Sequence, residues 1–250
     1  NMFGAVEFYQ QAISAGIKPI IGCEAYIVSG SHRDRGANGR SGEGSHHIIL
    51  LAGNNDGYHN LMKLVSAAYL DGFYYKPRID HELLAEHSEG LIALSSCLKG
   101  EIPQKLLGND LEGAYRAASL YKEIMGPGHF YLELQDHGIP EQRQLIPLLR
   151  EMSGKLEIPL VATNDCHYLD RSHARAHEVL LCVQTGTTMS DPARMRLSTD
   201  QFYFRSPEEM QQLFAEVPDA VRNTLDIADR CNLELEFGRL NLQLQVAAVG

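Results

Sequence analysis

The chain has 250 residues, of which 44% are hydrophobic and 22% charged, and a formal net charge of −10 at pH 7. This charge argues against a broad electrostatic contact with nucleic acid, because displacing counterions from phosphates requires clustered Lys and Arg. No apolar run approaches the roughly 18 residues of a membrane-spanning helix, and five scattered cysteines indicate reduced thiols in a cytoplasmic protein.

Hydrophobic periodicity predicts strands and helices that alternate along the chain. A helix covers residues 3–15 and an apolar strand follows at 17–28. Residues 29–45 hold five glycines and no large apolar residue, so we expect a mobile surface loop without a catalytic role. Strands and helices then alternate through 46–52, 58–69, 91–95, 111–125, 130–134, 141–155 and 159–163, before two helical segments at 171–183 and 207–231.

Regular alternation of strands and helices predicts βαβ units and a parallel sheet. At least five such strands, with polar residues gathered at their ends, favour a barrel over an open doubly wound sheet. No Gly-x-Gly-x-x-Gly sequence follows a strand, which argues against dinucleotide binding. The tail at 240–246 alternates apolar and polar residues, as an edge strand or the start of a linker does.

Polar side chains follow several of these strands, where α/β barrels place their reactive residues. They are Glu24, Cys97, His137, Asp165 and His167. Carboxylate, thiolate and imidazole ligands together suit zinc or another borderline divalent metal. Simpler interpretations exist, because an Asp-x-His pair is common by chance and a lone cysteine is more often a core residue. Glu24 is harder to explain, because a carboxylate in an apolar strand needs a partner or a metal.

Six sequence blocks resemble the PHP domain of bacterial DNA polymerase III alpha subunits. They read NMFGAVEFY, GIKPIIGCEAY, LSSCLKGE, FYLELQDHG, ATNDCHY and LLCVQTG, in order along the chain. The resemblance implies an α/β fold, a distorted TIM-like (β/α) barrel of the PHP class, over residues 1–238, without its first strand and βα unit. Residues 239–250 are then an exit segment or linker towards a polymerase palm that lies outside this chain.

The same resemblance implies a cluster of up to three divalent metal ions. The family's ligands match Glu24, His47, Cys97, Asp165 and His167, and we expect Asp165 and His167 to be catalytic as well. Zinc is the expected metal, with manganese or iron as alternatives. The family's opening His-x-His segment, an acidic residue and a further histidine have no counterpart here. We therefore expect this chain alone to hold an incomplete cluster and to have little nuclease activity.

Three functions are compatible with the resemblance. The first is a metal-dependent phosphoesterase-type module of a replicative DNA polymerase, acting as a 3′–5′ proofreading exonuclease on the DNA primer 3′ end. The second is a stand-alone PHP phosphatase. The third is a non-catalytic structural module that docks a separate proofreading exonuclease subunit. Segments 184–186 and 206–210 resemble the polymerase and favour a holoenzyme subunit that also works with a sliding clamp, without membrane association.

Aromatic and basic residues interleave at 74–78, where Lys76 and Arg78 are candidate contacts for single-stranded DNA. A packed loop at the barrel rim is the alternative, and we prefer it. In an extended segment, one of His46 and His47 faces inward and the other outward. Other histidines lie in polar stretches and are expected to be solvated: His32, His59, His81, His87 and His173.

Overall fold

The computed structural model describes residues 1–35 and 44–238. The strands are β1 Gly22–Val28, β2 Ser45–Ala52, β3 Phe73–Tyr74, β4 Lys76–Asp80, β5 Leu91–Leu94, β6 Phe130–Leu134 and β7 Leu160–Ala162. The helices are α1 Ala5–Ser14, α2 Asn55–Leu70, α3 His81–Glu86, α4 Glu101–Leu107, α5 Leu111–Met125, α6 Pro140–Leu156, α7 Ala174–Thr185, α8 Pro207–Leu213 and α9 Pro218–Arg230, with a 3-10 turn at Arg171–His173. Part of the predicted loop, residues 36–43, and the tail at 239–250 lie outside the described residues.

The strands form one mixed sheet in the order β3-β4-β1-β2-β5-β6-β7, which is not closed within the described ranges. The predicted α/β class is confirmed. The predicted parallel pairing holds for β5, β6 and β7 and for β1 with β4. It is wrong for β2, which runs antiparallel to both β1 and β5. A parallel neighbour needs a crossover connection, usually a helix, and the described residues between β1 and β2 contain none.

The centre of the sheet is the most buried part of the molecule. Every residue of β5 and β6 is buried, as expected for strands covered on both faces. Helices α2, α5 and α6 pack their apolar faces against these strands, through residues such as Leu61, Ala118 and Leu149. The rigid sheet therefore fixes the positions of the turns that follow its strands.

Side-chain caps fix where several helices begin. Asn54 accepts a hydrogen bond from the Gly57 backbone N–H at the start of α2, and Asp110 does the same for Gly113 in α5. The predicted single helix over 207–231 is instead two helices, α8 and α9. Pro218 begins α9, because proline lacks an N–H and suits the first turn of a helix.

A buried carboxylate, Glu101 at the start of α4, links three elements. Its Oε2 accepts a hydrogen bond from the Tyr121 hydroxyl at 2.8 Å and contacts His81 Nε2 at 3.1 Å. His81 is therefore packed beside a partner, and the prediction that it is solvated is wrong. His32 is also buried, against Asp80, so the same prediction fails there.

We expect E101Q to flatten the loss of stability at acidic pH. Burial alone raises the pKa of Glu101, but its hydrogen bonds with His81 and Tyr121 lower the pKa overall. A lowered folded-state pKa stabilises the fold above the unfolded value of about 4.3, and this stability is lost as pH falls through the folded pKa. Urea unfolding at pH 7 and pH 3 should show a loss of stability with falling pH that is smaller in E101Q than in the wild type. The exposed Glu123 is the control, and an equal change in E123Q contradicts the prediction.

Candidate metal centre

Three of the predicted ligands meet at adjacent strands of the sheet. Glu24 lies in β1, His47 in β2 and Cys97 in the turn after β5. One ligand atom from each lies within 4.8 Å of the others. A carboxylate oxygen, an imidazole nitrogen and a thiol sulfur at this separation match the donor types of zinc sites, so the residues fit a divalent metal.

The local backbone holds the Cys97 turn against β2. The His47 backbone N–H donates to the Lys99 carbonyl at 3.0 Å, and the Gly100 N–H donates to the Cys97 carbonyl at 2.8 Å. A Cβ at Gly100 would lie 2.1 Å from the Ser95 carbonyl oxygen, so this tight turn requires glycine. The turn thereby brings Cys97 beside His47.

The electrostatics of this group centre on His47. Burial lowers the pKa of His47, but hydrogen bonds and charge interactions with Cys97 and Glu24 outweigh it and raise the pKa to about 9. Glu24 contacts His47 Nδ1, and its side chain is 49% exposed. Glu24 thus has in His47 the partner that a carboxylate in an apolar strand is expected to need. The open side of the group faces solvent through Glu24.

The remaining two predicted ligands follow β7 as a pair. His167 Nε2 and Asp165 Oδ1 are 3.4 Å apart, and both side chains are partly exposed. Burial raises the pKa of Asp165, but the hydrogen bond with His167 lowers it overall, and Asp165 in turn raises the pKa of His167. The pKa of Asp165 also responds to His47, and that of His167 to Glu24. The pair therefore interacts electrostatically with the three-residue group.

His137, the other residue predicted to follow a strand, is buried next to the Asp165 turn. Its ring is fully buried and stacks on Phe202 at 4.3 Å. The Asp165 backbone N–H donates to His137 Nε2 at 3.2 Å, which occupies that nitrogen. Phe202 in turn packs its ring edge-on to His167, with the centroids 5.5 Å apart. His137 therefore contacts the backbone of the Asp165 turn.

His46 and His47 have different surroundings, as expected for neighbours in a strand. Burial is the main cause of the lowered pKa of His46, and its charged neighbours include Glu101 and Lys105. Those residues belong to α4 and not to the three-residue group. The choice of His47 over His46 as the candidate ligand is thus supported by geometry.

The two candidate DNA-binding residues of segment 74–78, Lys76 and Arg78, have different environments. Arg78 is buried, and its guanidinium donates to the carbonyl oxygens of Gly72, His32 and Asp34 at 3.1, 3.0 and 2.8 Å. These contacts favour the packing interpretation for Arg78. Lys76 lies 4.3 Å from the centre of the Tyr26 ring, and its role in DNA binding stays a prediction.

We expect R78A to destabilise the fold by about 1–3 kcal/mol, because it removes the three hydrogen bonds that the buried guanidinium donates to backbone carbonyl groups. K76A should change stability by no more than about 0.5 kcal/mol. Urea unfolding measures both, and fluorescence anisotropy with a single-stranded oligonucleotide measures DNA binding. Weaker DNA binding by R78A at unchanged stability would contradict the packing interpretation.

No helix in the described part of the chain has both the length and the apolar content needed to cross a bilayer. The five cysteines are free thiols: Cys23, Cys97, Cys166, Cys182 and Cys231.

Comparison with known proteins identifies the family. The family model described as "PHP domain" matches residues 1–137, more than half of the chain. The chain belongs to the PHP domain family. The predicted distorted barrel of the PHP class agrees with this membership, although the sheet of this PHP domain is not closed within the described residues.

Curated relatives of this PHP domain share one name. The chain is 47% identical to DNA polymerase III subunit alpha of Treponema pallidum over 94% of its length, and 46% identical to that of Thermus aquaticus over 95%. It is 48% identical to the Mycobacterium tuberculosis protein of the same name over 92%. In each case it spans only 20% of the relative. The predicted resemblance to the PHP domain of these alpha subunits is confirmed.

Proposed function

We propose that this PHP domain is the metal-dependent phosphoesterase module of a DNA polymerase III alpha subunit, and that it removes nucleotides from the primer 3′ end. The observation that carries the proposal is the convergence of Glu24, His47 and Cys97 within 4.8 Å. Asp165 and His167 pair with each other, and their pKa values respond to His47 and Glu24. The relatives' shared name supports the polymerase context.

The five side chains would hold the metal ions, zinc first, with manganese or iron as alternatives. A bound divalent metal supplies Lewis-acid chemistry and lowers the pKa of water at a phosphodiester. Asp165 orients His167 through their contact, and Phe202 limits the movement of the His167 ring. Glu24 borders the solvent side, where a DNA strand would enter. In this proposal Asp165 and His167 act directly at the reacting phosphate.

The wider assignment follows from the relatives. In this proposal the parent protein is a DNA-directed DNA polymerase that acts in the cytoplasm, which the relatives' shared name supports. Its partners would be the DNA primer, a proofreading exonuclease subunit and a sliding clamp.

A second candidate is a non-catalytic structural module that docks the proofreading subunit. The net charge of −10 and the burial of Arg78 favour it, because both limit contact with DNA phosphates. A stand-alone phosphatase is less well supported, because the relatives carry a polymerase name.

The test incubates the full-length parent protein with a labelled primer in the absence of nucleotides, and measures how fast the primer is shortened from its 3′ end. Metal content is measured by mass spectrometry, and the metal is then removed with a chelator and restored with Zn²⁺ or Mn²⁺. Degradation should disappear with the chelator, return with the metal, and fall at least about 100-fold in H167A, since mutations beyond the ligands alone cost 10–100-fold. H59A, at an exposed position on α2, is the matched control. Metal-bound protein without degradation would favour the structural module.

A further inference from the structure

Another buried carboxylate, Glu133, lies in the strand between β5 and β7. It is the fourth residue of β6 and is 6% exposed. Its Oε1 accepts hydrogen bonds from the Thr163 hydroxyl and from Gln135 Nε2, the latter at 2.9 Å. Its Oε2 is buried and has no hydrogen-bond partner among the described residues. Burying a carboxylate is costly unless it is hydrogen-bonded, so the contacts of Glu133 show how the fold accommodates it.

Glu133 contacts the two turns that carry the candidate ligands. Strand β6 lies between β5 and β7 in the sheet. The Glu133 backbone N–H donates to Ser95 Oγ at 2.8 Å, two residues before Cys97. Thr163, which donates to the Glu133 carboxyl, lies two residues before Asp165. One residue of the central strand is thus bonded to both neighbouring strand ends.

A buried network extends these contacts to the Asp165 backbone. Gln142 Nε2 donates to Gln135 Oε1 at 3.4 Å, and the His137 backbone N–H donates to Gln142 Oε1 at 2.8 Å. His137 Nε2 accepts from the Asp165 N–H at 3.2 Å. All three bridging side chains are buried. Hydrogen bonds between these buried side chains join the segments that carry them.

The Glu133 carboxyl lies in an enclosed environment. Burial raises its pKa, and the nearby Asp165 carboxylate raises it further. A cavity of about 20 Å³ adjoins Glu133, Gln135, Ser96 and Cys97, which is room for a single water molecule. At this enclosed position the carboxyl accepts from Thr163 and Gln135.

We propose that Glu133 is a positioning residue, which holds the Cys97 turn and the Asp165 turn at a fixed separation so that ligands from β5 and β7 reach one metal cluster. This inference rests on the proposed metal-binding function. It goes beyond that function in assigning a role to a residue that is not a ligand. Mutating a residue that hydrogen-bonds to metal ligands typically lowers metal affinity 10–100-fold.

The test compares E133A, E133Q and E101A in the intact protein. Glu101 is a matched control, because it is equally buried and also accepts from two side chains, but it bonds to neither turn. Hydrogen exchange of segments 95–98 and 163–167 is measured without metal, and Zn²⁺ affinity by competition with a chelator. We expect E133A to exchange at least about tenfold faster than E101A in segment 163–167, where its side chain bonds to Thr163, and to bind Zn²⁺ 10–100-fold more weakly than the wild type. Because the bond to Ser95 is made by the Glu133 backbone N–H, S95A is the variant that tests segment 95–98, and we expect faster exchange there than in the wild type.

E133Q should remain within about threefold of the wild type, because its amide oxygen accepts the same two hydrogen bonds. Equal exchange in E133A and E101A, or unchanged Zn²⁺ affinity in E133A, would overturn the positioning role. If E133Q and E133A weaken Zn²⁺ binding and speed up hydrogen exchange to the same extent, Oε1 does not act as the hydrogen-bond acceptor that we propose. If the wild-type protein binds no Zn²⁺, the proposed function fails, and hydrogen exchange alone still decides whether Glu133 holds the two turns.

Discussion

Replacing His47 with alanine should lower the Zn²⁺ affinity of the intact protein by about 100-fold or more, whereas H46A should stay within about threefold. His47 is hydrogen-bonded to both Cys97 and Glu24, so its loss removes the central donor of the three-residue group. The effect should exceed the 10–100-fold typical of residues that only support ligands. His46 is the adjacent residue of the same strand, with a different set of neighbours.

Competition with a chelator of known affinity measures both variants, and urea unfolding of the metal-free proteins checks that each is folded. Primer degradation should follow metal affinity, with H47A inactive at a zinc concentration that saturates the wild type. Equal affinities for H46A and H47A would mean that β2 presents the wrong histidine, or that the group binds no metal.

The candidate site was predicted partly from strand ends and partly from the family resemblance, which alone supplied His47. Glu24 was expected to follow a strand but lies within β1. Glu24, His47 and Cys97 are separated by 23 and 50 positions along the chain, yet all were singled out, and the structure brings their ligand atoms within 4.8 Å of one another. Asp165 and His167 were paired correctly from their spacing alone, since a tight turn after a strand lets residues two apart converge. Their role as ligands stays a prediction.

The buried polar partners were not predictable from local pattern. His32 pairs with Asp80 and His81 with Glu101, residues 48 and 20 positions away. A histidine in a polar stretch looks solvated unless the tertiary partner is known. Glu133 could have been singled out from the sequence. It is a carboxylate within the apolar strand β6, and a carboxylate in an apolar strand needs a partner, as was reasoned for Glu24.

The strand direction was predicted wrongly where the connection between two strands is not a helix. The predicted parallel sheet assumed βαβ units throughout, but residues 29–45 show no helical pattern, and this was the available sign that β2 reverses direction. The short hairpin of β3 and β4 was missed because Tyr75 turns the chain at φ +59, a conformation that a bulky residue rarely adopts.

Substituting Gly57 with alanine should destabilise the fold by about 1–3 kcal/mol or more. Gly57 lies in the first turn of α2, where a Cβ would be 2.0 Å from the Gly90 carbonyl oxygen. Gly90 cannot easily retreat, because its φ is +74 and its carbonyl accepts from the Gly53 N–H at 2.8 Å. The Gly53–Gly90 hydrogen bond joins the end of β2 to the turn before β5. It therefore helps to fix β2, which carries His47, and β5, which leads into the Cys97 turn.

Gly154 provides the matched control, since it also lies within a helix, α6, and a Cβ there meets no atom within 4 Å. G154A should stabilise the protein by roughly 0.5–1 kcal/mol, because alanine loses less conformational entropy than glycine on helix formation. Urea unfolding of the two variants should therefore give free-energy changes of opposite sign. A neutral or stabilising G57A would show that α2 and the Gly90 turn move apart at little cost, and the strand ends at the candidate metal centre would then be less rigidly held than we infer.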